Sequence, residues 1–129
     1  MNTILIADDS ATARMIIRKC LEIIGYSEAE FIEAENGAKA LEAIKGKAVD
    51  LIITDINMPV MDGRQFLARV KASPRLTDLP VLVITSTSNP ATENEFLQMG
   101  AFAVLNKPVN PQNLAQVLQS MTNQPTWGF

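Results

Sequence analysis

Five short apolar runs alternate with longer stretches in which apolar residues recur every three or four positions. The runs cover residues 4–7, 31–34, 51–53, 81–84 and 102–105 and are rich in Val, Ile and Leu. Four have almost no polar interruption, the pattern of strands covered on both faces. The second carries Glu33 and is flanked by Glu30 and Glu35, which predicts an edge strand.

The stretches between them read as amphipathic helices. Ala13, Ile16, Ile17, Cys20, Leu21 and Ile24 form one stripe, with Arg14, Arg18, Lys19 and Glu22 opposite. Ser10 suits the N-cap of this helix and Gly25 its stop. Ala40, Leu41 and Ile44 mark a second helix ending near Gly46. Phe66, Leu67 and Val70 mark a third, stopped by Ser73-Pro74. Asn89-Pro90 and Asn110-Pro111 are start signals for the fourth and fifth. The fourth ends near Gly100, and the fifth carries the stripe Leu114, Val117, Leu118 and Met121.

Five strands alternating with five helices imply an α/β fold: a doubly wound, five-stranded parallel sheet with helices on both faces. An edge-like second strand suits the order 2-1-3-4-5, the flavodoxin-like arrangement. At 129 residues the chain fits one domain over residues 1–122, with residues 123–129 as a tail.

Composition narrows the function. A single cysteine, Cys20, rules out an internal disulfide or a cysteine-cluster metal site, and its place on the buried stripe makes it inert. No histidine is present, which removes histidine-based catalysis and ligation. Eleven Lys and Arg against 14 Asp and Glu give a net charge of −3. No basic run offers an electrostatic footing for direct nucleic-acid binding. No apolar run is long enough for membrane insertion, and the first residues lack a secretory pattern. A soluble, cytoplasmic protein is the expectation.

In open α/β sheets, ligands bind beyond the carboxyl ends of the strands, where strand order reverses. That crevice lies between the first and third strands. The first ends in Asp8-Asp9 and the third in Asp55. Two like charges about 5 Å apart repel by roughly 3 kcal/mol at an effective dielectric near 20. A hard divalent cation with oxygen ligands offsets such a cluster, and Mg²⁺ is the natural candidate. Singly, each aspartate has a plainer reading as a helix cap or a turn residue. Thr85 and Ser86 at the end of the fourth strand, and Lys107 after the fifth, add hydroxyls and a cation to the same rim. Such a set suits a phosphoryl group, whose transfer needs positioning and charge neutralisation. An aspartate can itself be the nucleophile.

These residues, at these spacings, resemble the receiver domain of two-component response regulators, in its stand-alone form. The resemblance spans about residues 2–122. It is carried by Ile4-Leu5-Ile6-Ala7-Asp8-Asp9-Ser10, by Val49 through Pro59 with Asp55 inside, by Pro80 through Ser86, and by Asn106-Lys107-Pro108. Asp62-Gly63 and Gly100-Ala101 also fall where that family has such pairs. The resemblance implies that Asp55 accepts a phosphoryl group from a phosphohistidine on a sensor histidine kinase or phosphotransfer protein. It implies that Asp9, Asp55 and the Asn57 carbonyl ligate Mg²⁺, with Asp8 acting through a bound water. Lys107 would pair with the phosphoryl oxygens, Thr85 would move in to hydrogen-bond them, and the Ser86 backbone would add a donor. The outcome would be phosphorylation-controlled binding of a downstream target protein, or a phosphorelay. Catalysis would be limited to self-phosphorylation and self-dephosphorylation.

One departure concerns the switch. The family often has an aromatic residue three positions before the lysine, where this chain has Val104, and Phe102 is expected to face the other way. The expectation is that Thr85 still moves while the readout relies on backbone or fourth-helix shifts. Asn57 and Thr87, two places beyond Asp55 and Thr85, are small and polar, which suits ready access of water to a phosphoryl group. A phosphohydrolase with an aspartate nucleophile is the competing enzyme reading. It would need an acid/base two residues later, and Asn57 cannot serve as one. A constitutive pseudo-receiver is the other alternative, but every acidic residue, Thr85 and Lys107 are in place. The methionines at 15, 58, 61, 99 and 121 read mostly as packing residues. Arg14, Arg18 and Lys19 read as a solvated basic face. Trp127 and Phe129 could dock a partner, fold back on the body, or lead toward a further domain.

Overall fold

The computed structural model describes residues 3–86 and 89–122. Its strands are β1 (Thr3–Ala7), β2 (Glu30–Ala34), β3 (Leu51–Asp55), β4 (Val81–Thr85) and β5 (Ala103–Asn106). They alternate with α1 (Ala11–Leu21), α2 (Gly37–Ala43), α3 (Gly63–Ala72), α4 (Pro90–Gln98) and α5 (Pro111–Thr122). All neighbouring strands pair in parallel, in the order β2-β1-β3-β4-β5. The α/β class, the strand order and the helix count are those expected. No helix among the described residues is long and apolar enough to cross a membrane.

Alternation along the strands divides the core in two. Leu5, Ala7, Ile52 and Val83 meet Ala40 and Ile44 with Phe66, Leu67 and Val70 of α3 and Phe96 of α4. On the other face Ile4, Ile6, Leu51, Ile53, Leu82 and Ile84 meet Ile17, Cys20 and Leu21 of α1 and Leu114 and Leu118 of α5. Each fully buried Leu, Ile or Phe contributes about 1.5–3 kcal/mol of transfer free energy. The two layers therefore fix the register on both sides, and with it the height at which each strand ends.

The caps read from the sequence are made. Ser10 accepts from the Ala13 N–H and Asn89 from the Thr92 N–H. Asn110 and Asn113 cap each other reciprocally. Asp62 and Gln65 form a capping box on α3 that the periodicity alone did not reveal. Beyond α1 the chain makes a π-helical turn over Glu22–Tyr26 and leaves it at Gly25, whose φ of +114° favours glycine.

Several expectations are corrected. Ile16 fits the buried stripe of α1 by spacing but is 44% exposed, at a groove shared with Ala13, Ile17, Pro108 and Val109. Met15 is likewise 51% exposed, whereas Met58 is buried and Met61, Met99 and Met121 pack against the two cores. The fifth run reads as covered on both faces, yet β5 is the second edge of the sheet and only half-buried. Phe102 precedes β5 and donates its N–H to the Val81 carbonyl at 2.8 Å. Strict alternation would put residues 102 and 104 on one face. The break before β5 separates them: Phe102 lines a groove with Gln116, Val117 and Ser120 of α5, while Val104 packs toward the α3–α4 side.

Val60, after Pro59, has φ +68° and is 83% exposed, while the Met61 N–H donates back to the Pro59 carbonyl at 2.7 Å. This bond closes a γ-turn centred on Val60, a strained conformation for a β-branched side chain that buries nothing here in return. Replacing it with glycine, which has no Cβ to crowd the backbone at positive φ, is expected to stabilise the fold by about 1 kcal/mol. A rise in the urea midpoint at unchanged slope would show this, and an unchanged or lower midpoint would contradict it.

Candidate functional site

The carboxyl ends of β1, β3, β4 and β5 open onto one rim, and the expected residues meet there. Asp8 follows β1 directly, Asp55 is the last residue of β3 and Thr85 the last of β4. Carboxylate oxygens of Asp8, Asp9 and Asp55 lie within 4.8 Å of one another. Asp8 and Asp55 are buried and Asp9 is exposed, so the cluster is closed below and open to solvent above. Thr85 is buried beside them, whereas Ser86 and Asn57 are exposed on the rim. Thr87 lies outside the described residues, as do Trp127 and Phe129.

Lys107 supplies the cation. Its Nζ donates to Asp8 Oδ2 at 3.2 Å and stands 3.5 Å from Asp55 Oδ1. The Lys107 N–H donates to the Thr85 carbonyl at 2.8 Å, so the end of β4 positions the backbone that carries this side chain. Lys107-Pro108 is a cis peptide, a feature no spacing revealed.

The β1–α1 turn is held from several sides. The Asp8 N–H donates to the Ala34 carbonyl of β2 at 3.0 Å, and the Ser10 N–H donates to Asp8 Oδ1 at 2.9 Å. The β3–α3 loop is held by close approach. The Gly63 N–H donates to the Ile56 carbonyl at 2.7 Å, and a Cβ at Gly63 would lie 2.2 Å from the Asp55 carbonyl oxygen. Only glycine lets the start of α3 sit against the backbone of Asp55. The Asp62-Gly63 pair was noticed only through the family resemblance; its steric reason appears in the structure.

Electrostatics follow from this crowding. Burial raises the Asp55 pKa, and the Asp8 charge raises it further, while Lys107 and the Ile56 N–H oppose them. For Lys107, burial pulls the ammonium down, but Asp55 and Asp8 outweigh it and leave its pKa raised. One cation thus faces three carboxylates, which leaves a net negative site with oxygen donors only. Such a donor set fits a hard divalent cation: Asp8, Asp9 and Asp55 could hold one, and its charge would relieve the repulsion.

Sequence reasoning misread one basic residue. Arg14 is not solvated: its side chain is 17% exposed, donates from Nη1 to the Asp8 carbonyl at 2.6 Å, and pairs through Nε with Glu33 at 2.9 Å. Arg18 also pairs with Glu33, at 3.6 Å, and stacks over Phe31. Cys20 is buried, with its thiol pKa raised by burial, as expected of an inert side chain.

A doubly wound sheet with an acidic, lysine-bearing pocket at its switch point defines a class of signalling α/β domain, and comparison with known proteins gives the family. The model of the response regulator receiver domain matches residues 4–119, and the chain belongs to that family. It is 35% identical over 117 residues to the chemotaxis protein CheY1 of Helicobacter pylori, covering 90% of this chain and 93% of that one. It is also 35% identical over 118 residues to the sensor histidine kinase CheAY of the same species, covering 90% of this chain but 14% of the kinase. Among solved structures it resembles the chemotaxis response regulator CheY4 of Vibrio cholerae, with TM-score 0.82, 32% identity, and 93% and 98% of the two chains covered. The protein is thus a CheY-like response regulator receiver domain.

The raised Asp55 pKa sets a sign. The fold favours protonated Asp55, so this contribution to stability is present below the unfolded pKa of about 3.9 and is lost as pH rises through the higher folded value. At neutral pH the ionised side chain therefore costs stability. Without metal, Asp55→Asn is expected to be more stable than wild type at pH 7, with the difference shrinking toward acid pH. Denaturant unfolding of both proteins in chelator across that range checks it, and a less stable variant at pH 7 would contradict it.

Proposed function

We propose that Asp55 is the phosphoacceptor and that the donor is a phosphohistidine on a sensor histidine kinase or phosphotransfer protein. The observation that carries this is the convergence of Asp8, Asp9 and Asp55 within 4.8 Å around Lys107. The chain has no histidine, so the phosphohistidine belongs to the partner. Similarity to a stretch of a sensor histidine kinase supports a donor of that kind.

In the proposed step a carboxylate oxygen of Asp55 attacks phosphorus. The P–N bond breaks, its electron pair stays on the imidazole nitrogen, and an aspartyl phosphate forms. Asp9, Asp55 and the Asn57 carbonyl would hold Mg²⁺, with Asp8 acting through a water. When bound, the ion neutralises charge on the phosphoryl oxygens. The Lys107 ammonium pairs with a phosphoryl oxygen once Asp55 is phosphorylated. The Thr85 hydroxyl and the Ser86 N–H donate to the remaining oxygens. The phosphoryl group, with a charge of about −1.5 to −2 where the free carboxylate carried −1, would redistribute Lys107 and Thr85 around the modified residue.

The output is phosphorylation-controlled binding of a target protein, or onward relay. Val104, already packed toward the α3–α4 side, offers no aromatic ring to swing, so the change is carried by the backbone after Thr85 and by α4. Water then hydrolyses the aspartyl phosphate and resets the domain, with the small polar Asn57 leaving room for it.

Incubation with Mg²⁺ and acetyl phosphate, followed by intact-mass analysis, tests the assignment. Wild type is expected to gain one phosphoryl group and Asp55→Asn none. Equal labelling of both would remove Asp55 from its role.

A further inference from the structure

The β1–α1 turn carries two of the three clustered carboxylates, and its peptide groups decide where they point. The Asp8 N–H is taken by β2, and the Asp8 carboxylate by the Ser10 N–H and Lys107. The carbonyl of the peptide joining Asp8 to Asp9 is held from the helix. Arg14 Nη1 donates to it at 2.6 Å.

The same guanidinium reaches a second acceptor. Arg14 Nε donates to Glu33 Oε1 at 2.9 Å, and the other Glu33 oxygen lies 3.6 Å from Arg18 Nη1. Arg18 is fixed in turn over the Phe31 ring, 4.9 Å from its centroid. A strut therefore runs from the edge strand β2 through Glu33 and Arg14 to the Asp8-Asp9 peptide. Protecting a sheet edge with charge accounts for Glu33. It does not account for a guanidinium folded back over the helix start, largely covered, with one arm on the backbone between two carboxylates. The planar fork of arginine holds two acceptors in fixed directions at once.

We infer that Arg14 is a positioning residue for the cation site: it fixes the Asp8-Asp9 peptide plane so that both carboxylates face Asp55 against their mutual repulsion. This deepens the reading of Asp8 and Asp9 as metal ligands and rests on it. Groups that orient ligands from outside commonly change metal affinity by 10–100-fold when removed. Arg14 acts through the backbone of the turn and through Glu33, so its effect is expected in the unphosphorylated protein as well.

The test is calorimetric titration of the unphosphorylated full chain with Mg²⁺ at neutral pH, alongside thermal unfolding without metal. Arg14→Met keeps the apolar stem and removes the donors; it is expected to weaken Mg²⁺ binding about tenfold. Arg14→Lys keeps a donor within reach of the carbonyl and is expected to recover most of that loss. Arg18→Met, which breaks the outer part of the network, is expected to leave Mg²⁺ affinity unchanged even where it lowers stability. Wild-type affinity in Arg14→Met, equal weakening by Arg14→Met and Arg18→Met, or no recovery in Arg14→Lys would overturn the inference while leaving the cation site standing. A wild-type chain that binds no Mg²⁺ would overturn both.

Discussion

Three carboxylates held within 4.8 Å of one another, faced by one ammonium, are the constraint around which this molecule is arranged. The residues would separate if the chain were free to let them. They are kept together by buried layers on both faces of the sheet, which fix the ends of β1 and β3 side by side. Stability spent holding like charges together is the mark of a functional site rather than a structural one. Lys107 offsets part of the repulsion and leaves a negative balance that a cation and a phosphoryl group can use in turn.

The supporting contacts show how a small domain holds that arrangement. Gly63 brings α3 against the Asp55 backbone at a distance no side chain permits. The Thr85 carbonyl receives the Lys107 N–H, so the hydroxyl and the cation of the proposed chemistry share a backbone link. Similarity to CheY-type chemotaxis proteins extends over most of their length.

Much of this was legible in the sequence. An unbroken apolar run is hard to disguise when both faces of a strand are covered, and residues 4–7, 51–53 and 81–84 read as strands for that reason. The caps at Ser10, Asn89 and Asn110 were legible because their chemistry is local. Asp8, Asp9 and Asp55 followed from strand order, since the fold has one switch point. What was not legible depends on partners distant in sequence. Arg14 looked like part of a solvated face because Glu33, 19 residues away, and the Asp8 carbonyl are invisible to helical periodicity. Ile16 fitted the stripe, but the stripe is wider than the surface it covers. Phe102 was assigned to β5 because apolarity alone does not say where parallel pairing begins.

The central claim is that the folded chain holds a divalent-cation pocket built from Asp8, Asp9 and Asp55. The most direct measurement is the melting temperature as MgCl₂ is added at constant ionic strength. The account predicts a saturable rise in wild type that disappears when any one of the three aspartates is changed to asparagine. A rise that NaCl reproduces, or one that persists in all three variants, would contradict it.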